Sequence, residues 1–253
     1  TSKWRLKGHA EEVFWQCLST FSVFIDNPEN LGYDGTAYHL PPLNITEIVV
    51  DGEEPTSETL TLTERRQARK DSLDLRCQKA AELANSSDEQ WLVWCDLNDE
   101  SKRLHELIQD SVEVKGADKA SHKADAVTEF ADGSIRALVS KPSITGYGCN
   151  WQSCHNMIFT GLSDSYEQYY QAIRRCWRFG QTCPVNVYII ISAKEGCVKE
   201  NIERKEKDFL KMQKEMTELT KEITKKELRS TCRISTPYEP HQTMRLPNWE
   251  EFN

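Results

Sequence analysis

The chain has 253 residues, 38% apolar and 28% charged, enough for one large domain or for a core domain with extensions. A formal net charge of −8 excludes a general nucleic-acid binder acting through bulk electrostatics, and leaves room for a local basic strip. The longest apolar run, within "VNVYIIIS", is too short to span a bilayer, and no charged-then-apolar leader opens the chain. The expectation is a cytoplasmic protein without membrane attachment, its nine cysteines reduced, since they are odd in number and include no Cys-x-x-Cys pair. Thr1 in place of Met hints at a chain cut from a longer one.

In chain order, residues 1–50 begin with an aromatic helix, "AEEVFWQCLSTFSVF", and end with "LPPLNITEIVV". Residues 51–90 are polar and carry one charged amphipathic helix around "ERRQARKDSLDLRCQKAAELA". "WLVWC" (91–95) reads as a buried strand, and "DESKRLHELIQD" (99–110) as a helix with Leu104, Leu107 and Ile108 at helical spacing. "VEV" (112–114) is a short strand before a turn at Gly116, and "SHKADAVTEF" (121–130) a helix with a serine cap. "IRALVS" (135–140) and "NMIF" (156–159) are strands, "SYEQYYQAIRRCWRF" (165–179) is a strong helix, and "VNVYIII" (185–191) closes the series. Strands alternating with helices in this way predict an α/β fold with a parallel sheet. Residues 194–229 form a long Lys/Glu helix in which Ile202, Phe209, Met216 and Ile223 recur every seven residues. That seam either lies on its own domain or makes a coiled-coil contact through residues 198–226, although Lys205 and Lys226 interrupt it. The last 25 residues read as an irregular tail.

Two segments carry the chemistry. In "QAIRRCWRFGQ" (171–181), Gln171, Arg175 and Arg178 fall at i, i+4 and i+7, on one helical face, while Tyr169, Ile173 and Cys176 form a second stripe. Gly180 is a plausible break, and Pro184 bars extension of the helix. Arginine's planar donor fork suits phosphate oxygens, so two arginines one turn apart can clamp a γ-phosphate; the commoner reading of such a pattern is a solvated basic face. No acid accompanies Arg174, Arg175 and Arg178 in the last two turns. In "KPSITGYGCNWQSCHNMIF" (141–159), Gly146 and Gly148 allow backbone N–H groups to approach an anion, with Ser143 and Thr145 adding hydroxyls. Gly-Tyr-Gly alone is also what an ordinary turn looks like.

Together, "TGYGCNWQSCHNMIF" and "QAIRRCWRFGQ" resemble motifs V and VI of the second RecA-like lobe of Swi/Snf-type superfamily-two helicases. Gln171, Ala172, Arg175, Arg178, Gly180 and Gln181 match motif VI in order. "WLVWCDLNDESKRLHELI" resembles motif IV, and "VKGADKASHKADAVTEFADGSIRALV" the stretch that follows it. "LPPLNITEIVV" resembles the segment leading from helical protrusions into lobe two, and the wording of residues 150–181 is close to a phage and prophage branch. The resemblance runs from about residue 1 to residue 195. It implies three parts: a helical protrusion and linker over 1–88, a RecA-like lobe over 89–193, and a helical extension with a tail over 194–253. It further implies an ATP-dependent DNA translocase or helicase whose nucleotide and Mg²⁺ are held mainly by a first lobe. Arg175 and Arg178 are then arginine fingers, with Gln171, Gln181, Gly146 and Gly148 around the nucleotide. Lys141, Ser143, Thr145 and Asn150 become contacts to the backbone of DNA, duplex by the habit of the family. None of the eleven glycines is followed by lysine, so the phosphate loop is not in this sequence, and neither "DEQW" nor "DESK" continues as an acidic helicase box. By itself the chain is expected to be inactive, its missing partner an N-terminal RecA-like lobe.

Three further readings stay open. "CNWQSCH" places Cys149, Cys154 and His155 together, yet supplies no second pair for tetrahedral zinc; His155 reads as structural. Trp151 or Trp177, inside the two motifs, could stack on a base or on adenine. The alternative function is a non-catalytic nucleic-acid-binding or protein-interaction module that keeps the lobe fold.

Overall fold

The computed structural model describes residues 8–19, 21, 25, 27–51 and 61–230. The irregular tail beyond 230, residues 20 and 22–24 of the aromatic helix, and the side chains of Ile223 and Lys226 in the seam lie outside the described residues. In order, the elements are α1 (Glu11–Ser19), β1 (Leu43–Val49), α2 (Leu62–Asp71), α3 (Leu73–Ala84), β2 (Trp91–Cys95), α4 (Asn98–Leu107) and β3 (Ser111–Val114). They continue with α5 (Ala120–Ala131), β4 (Ala137–Ser140), α6 (Pro142–Thr145), β5 (Asn156–Thr160), α7 (Tyr166–Ile173), β6 (Val185–Ile191) and α8 (Gly196–Ser230).

The six strands form one parallel sheet in the order β1-β6-β5-β2-β4-β3. β2, β4 and β5 are buried along their whole length, as expected for parallel strands covered on both faces; β2 is apolar throughout, while β4 and β5 carry apolar centres with buried Ser140, Asn156 and Thr160 at their ends. Alternate residues feed two cores. Leu92, Trp94, Leu138, Met157 and Phe159 pack with Phe130 of α5, Ile173 of α7 and Ile202 of α8. Trp91, Val93, Val139 and Ile158 pack on the opposite face with Leu104 of α4 and the alanines Ala80, Ala81 and Ala84 of α3, whose small side chains let that helix lie close.

The edge strand β1 comes from the segment placed before the lobe. It pairs with β6 from Leu43↔Val185 to Val49↔Ile191, so the sheet reaches back across the boundary at residue 89. Side-chain amides reinforce this register. Asn44 Nδ2 donates to Asn186 Oδ1 (3.0 Å), Asn186 Nδ2 to Asn156 Oδ1 (3.1 Å), and Asn156 Nδ2 to Glu89 Oε2 (2.7 Å).

Two helical expectations need correction. The single helix around residues 64–84 is two helices, α2 and α3, meeting at the buried Ser72, whose hydroxyl donates to the Ala68 carbonyl and accepts from Arg76 Nε. The serine cap at Ser121 is not formed: α5 starts at Ala120 after Lys119, with no side-chain cap. The seam of α8 lies on its own domain over its first half. Val198 and Ile202 are buried in the core, and the Phe209 ring sits 5.8 Å from Tyr166 and 5.6 Å from Tyr170 of α7.

A buried ion network ties α2 and α3 to the carboxyl ends of the strands. Arg76, wholly buried, donates Nη1 to Thr160 O (2.7 Å) and Nη2 to Arg69 O (2.7 Å), and its Nη2 lies 2.7 Å from Glu100 Oε1. Arg69 pairs with Asp96 and with Glu195 and donates to the Leu162 carbonyl. Burial works against the Arg76 charge, but Glu100 and Glu195 outweigh it and hold its pKa above the ordinary arginine value.

Candidate functional site

The two quoted segments meet. After β4, Lys141 caps the single turn α6, with Pro142 at its first position. Gly146 N donates to Pro142 O (2.9 Å), and a Cβ there would lie 2.2 Å from that carbonyl, so the turn closes only on glycine. Gly148 adopts φ +77°, the left-handed region. The chain then runs back to the amino end of β5, presenting the Cys149 carbonyl to the arginines. Arg175 Nη1 donates to Cys149 O at 3.0 Å, and Arg178 Nη1 donates to the same oxygen at 3.2 Å.

The arginines do not ride on a helix. α7, capped by Ser165, ends at Ile173, and residues 174–178 form tight turns. There the ladder tightens: Arg175 N and Cys176 N bond three residues back, to Ala172 O and Ile173 O, and Arg178 N bonds to Cys176 O, while Arg175 O accepts from Trp151 N (3.0 Å) and Cys176 O from Gln181 Nε2 (3.3 Å). The shared helical face of Gln171, Arg175 and Arg178 is therefore replaced by a convergent turn.

The two arginines differ in freedom. Arg175 is 8% exposed and uses three donors: Nε to Gln171 O (2.9 Å), Nη1 to Cys149 O, and Nη2 to Gln171 Oε1 (3.0 Å). Arg178 is half-buried and, among the described residues, makes the one side-chain bond to Cys149 O. No carboxylate among the described residues pairs with Arg174, Arg175 or Arg178. Burial first, and the neighbouring Arg178 charge second, push the Arg175 pKa below its ordinary value. Two cations held together without a counter-ion form a site that an anion would relieve.

The remaining expected residues divide. Lys141 is half-buried, while Ser143 and Asn150 are exposed. Thr145 is buried, and its Oγ1 has no partner among the described residues. Gln181 turns inward: Nε2 donates to Cys154 O (3.0 Å) and Cys176 O, while Oε1 accepts from Thr182 N and Cys183 N. Its amide is spent holding the lead-in to β6. Trp151 cannot stack on a ligand. It is fully buried, edge-on to Phe130 at 5.2 Å, with Nε1 donating to Val127 O. Trp177 is half-buried, donates Nε1 to Pro41 O (2.8 Å), and carries the Arg174 guanidinium 5.3 Å from its ring. Cys154 points its thiol at the carbonyls of Gln90 and Asn156, and His155 Nε2 lies 3.7 Å from Glu89 Oε1. No cluster of three metal-ligating side chains occurs among the described residues. Residue types alone do not mark the Cys149 carbonyl or the exposed pair Phe179 and Tyr38, whose rings stack 5.2 Å apart. Phe179 falls within the arginine-rich segment; nothing local to Tyr38 distinguishes it.

Residues 75–180 match the model of the helicase conserved C-terminal domain. Three solved structures are similar to this chain at low identity. The structure of T4 UvsW is 16% identical, with TM-score 0.51 over 67% of this chain and 40% of that one. The C-terminal part of the Fun30 ATPase domain is 20% identical, with TM-score 0.43 over 58% and 48%. A DEAD box protein from the hyperthermophile Methanococcus jannaschii is 18% identical, with TM-score 0.48 over 66% and 40%. The chain thus spans less than half the length of each of these structures. No curated protein matches it. The six-stranded parallel sheet flanked by helices matches the fold of a RecA-like helicase lobe.

Proposed function

We propose, taking the helicase C-terminal domain of residues 75–180 as premise, that this chain is the second motor lobe of an ATP-dependent DNA translocase or helicase of the Swi/Snf type. The observation that carries the reading is the pair of guanidinium groups converging on Cys149 O with no carboxylate beside them among the described residues. In phosphoryl transfer there is little covalent work for the protein. Positioning and charge stabilisation dominate, and an arginine brought to the γ-phosphate contributes about 10³–10⁵ in rate. The division of labour follows from the hydrogen bonds. Arg178 keeps most of its donor fork for an incoming phosphate and is the finger. Arg175, with Gln171, fixes the turn and the loop that orient it. Since no glycine in the sequence is followed by lysine, the phosphate loop and the Mg²⁺ ligands belong to a partner lobe.

The Cys149 bond also connects two contacts. Residues 146–150 lead directly from α6, where Lys141 and Ser143, with Asn150 beyond, offer donors to a DNA backbone without reading its sequence. A shift of the finger on hydrolysis is then transmitted to the strand contact through one loop. The test is capture of a transition-state mimic. In the motor completed with its first lobe, ADP with aluminium fluoride is retained by the wild type and released by Arg178→Ala, with ADP affinity unchanged. Equal retention by both proteins removes Arg178 from the transition state.

A further inference from the structure

We propose that the stacked rings of Tyr38 and Phe179 form the platform that takes the base of the nucleotide whose terminal phosphate Arg178 faces. The inference rests on the nucleotide reading of Arg178 and adds to it a contact to the aromatic end of the ligand. Phe179 is 58% exposed and Tyr38 50% exposed, their centroids 5.2 Å apart with the planes 29° from parallel. Neither ring belongs to the two buried cores. Such a pair presents flat apolar area to solvent, and any base has a π-face that can stack against it.

The platform is held from both sides. Trp177 Nε1 donates to Pro41 O (2.8 Å), and Val185 N donates to Pro42 O (2.9 Å), immediately before the β1–β6 register begins. These bonds clamp the segment carrying Tyr38 against the turn carrying Phe179. Gly180 follows in the left-handed region, φ +92°, where a Cβ would lie 3.1 Å from the Gln152 amide, so the turn is fitted against the Cys149 loop as well.

Charge selects the occupant. Phe179 directly follows Arg178, and the three cations Arg174, Arg175 and Arg178 have no carboxylate partner among the described residues. On the Tyr38 side the acids are engaged locally: Asp34 accepts from Thr36, and Glu29 pairs with His39 at 3.1 Å. An apolar protein partner would use the rings and leave the cations uncompensated. A molecule that is aromatic at one end and polyanionic at the other uses both, and that is a nucleoside triphosphate.

The test compares ATP with inorganic tripolyphosphate on the full chain, by saturation-transfer NMR and competition, with a thymidine oligonucleotide as a third ligand. The expected result is saturation of the adenine protons and about tenfold tighter binding of ATP than of tripolyphosphate. Phe179→Ala and Tyr38→Ala both remove that preference, Phe179→Trp keeps it, and tripolyphosphate binding is unchanged in all three. Circular dichroism confirms that these exposed positions leave the fold intact. Equal affinity for ATP and tripolyphosphate, with adenine unsaturated, overturns the platform and leaves the arginine reading standing. An oligonucleotide that loses binding on Phe179→Ala while ATP does not assigns the rings to the strand instead and also overturns it. Binding of neither triphosphate overturns the platform; the arginine reading, whose nucleotide is held mainly by the partner lobe, is judged by the aluminium fluoride test on the completed motor.

Discussion

Replacing Arg76 with methionine tests how the lobe is bound to its leading helices. The side chain is wholly buried, and methionine keeps much of its length while deleting the charge and the donors. Lost with it are the bonds to Ser72 Oγ, Thr160 O and Arg69 O, and the ion pairs to Glu100 and Glu195, both themselves buried. The remaining partners do not compensate: Glu100 keeps the Asp96 and Leu97 amides, and Glu195 keeps Ser192 N and Arg69. Breaking a buried pair from one side costs about 3–5 kcal/mol, chiefly because the stranded charge stays buried. For a chain of this size that lowers Tm by roughly 6–20 °C. Urea denaturation of wild type and Arg76→Met at pH 7 measures the loss. A loss below about 1 kcal/mol would refute the reasoning that Arg76 is the buried clamp between these helices and the strands.

Other expectations follow from single contacts. Asn186→Ala strands the amides of Asn44 and Asn156, of which Asn156 is buried, and is expected to cost about 1–3 kcal/mol in urea denaturation. Gly146→Ala forces a Cβ to 2.2 Å from Pro142 O, which opens α6; the amide of residue 146 should then exchange its hydrogen faster, with about 1–3 kcal/mol of stability lost. Glu206 is held above the ordinary carboxylate range by burial first and by Glu203 second, so its charge opposes folding once pH rises past the usual glutamate value. Glu206→Gln should therefore raise the denaturation midpoint at pH 7 and leave it unchanged at pH 4.

The parts of the fold that could be read from the sequence were those whose cause is local. β2 is buried on both faces and apolar throughout, and the centre of β5, residues 157–159, is the same. β1 lacks that signal: it is an edge strand with a mixed burial pattern, and only its pairing with β6 makes it part of the lobe. The break between α2 and α3 carries no glycine or proline, because a buried serine and an arginine from the next turn make it. The apolar periodicity of residues 165–179 runs past the end of α7 at Ile173, where the backbone bonds shorten to three residues and Trp151 N, from a distant loop, takes Arg175 O. Within the site, Arg175 and Arg178 stand out in the sequence through missing acids and neighbouring glycine-rich segments, and the helical face their spacing implies is not formed. Their common acceptor is a backbone oxygen, which no residue pattern reports, and Tyr38 meets Phe179 only through the sheet. Arg76 lies in a segment legible only as a charged amphipathic helix; its burial depends on two acids, Glu100 and Glu195, outside that segment.

The proposed role of Arg178, completing an ATP site shared with a first lobe, is decided by steady-state ATP hydrolysis of the chain joined to that lobe, with and without duplex DNA, in wild type, Arg178→Ala and Arg178→Lys. DNA-stimulated turnover should fall by about 10³ or more in Arg178→Ala and should not be restored by lysine, whose point charge lacks the planar fork. Turnover indifferent to both substitutions would remove Arg178 from the nucleotide site and leave the arginines to the nucleic-acid backbone.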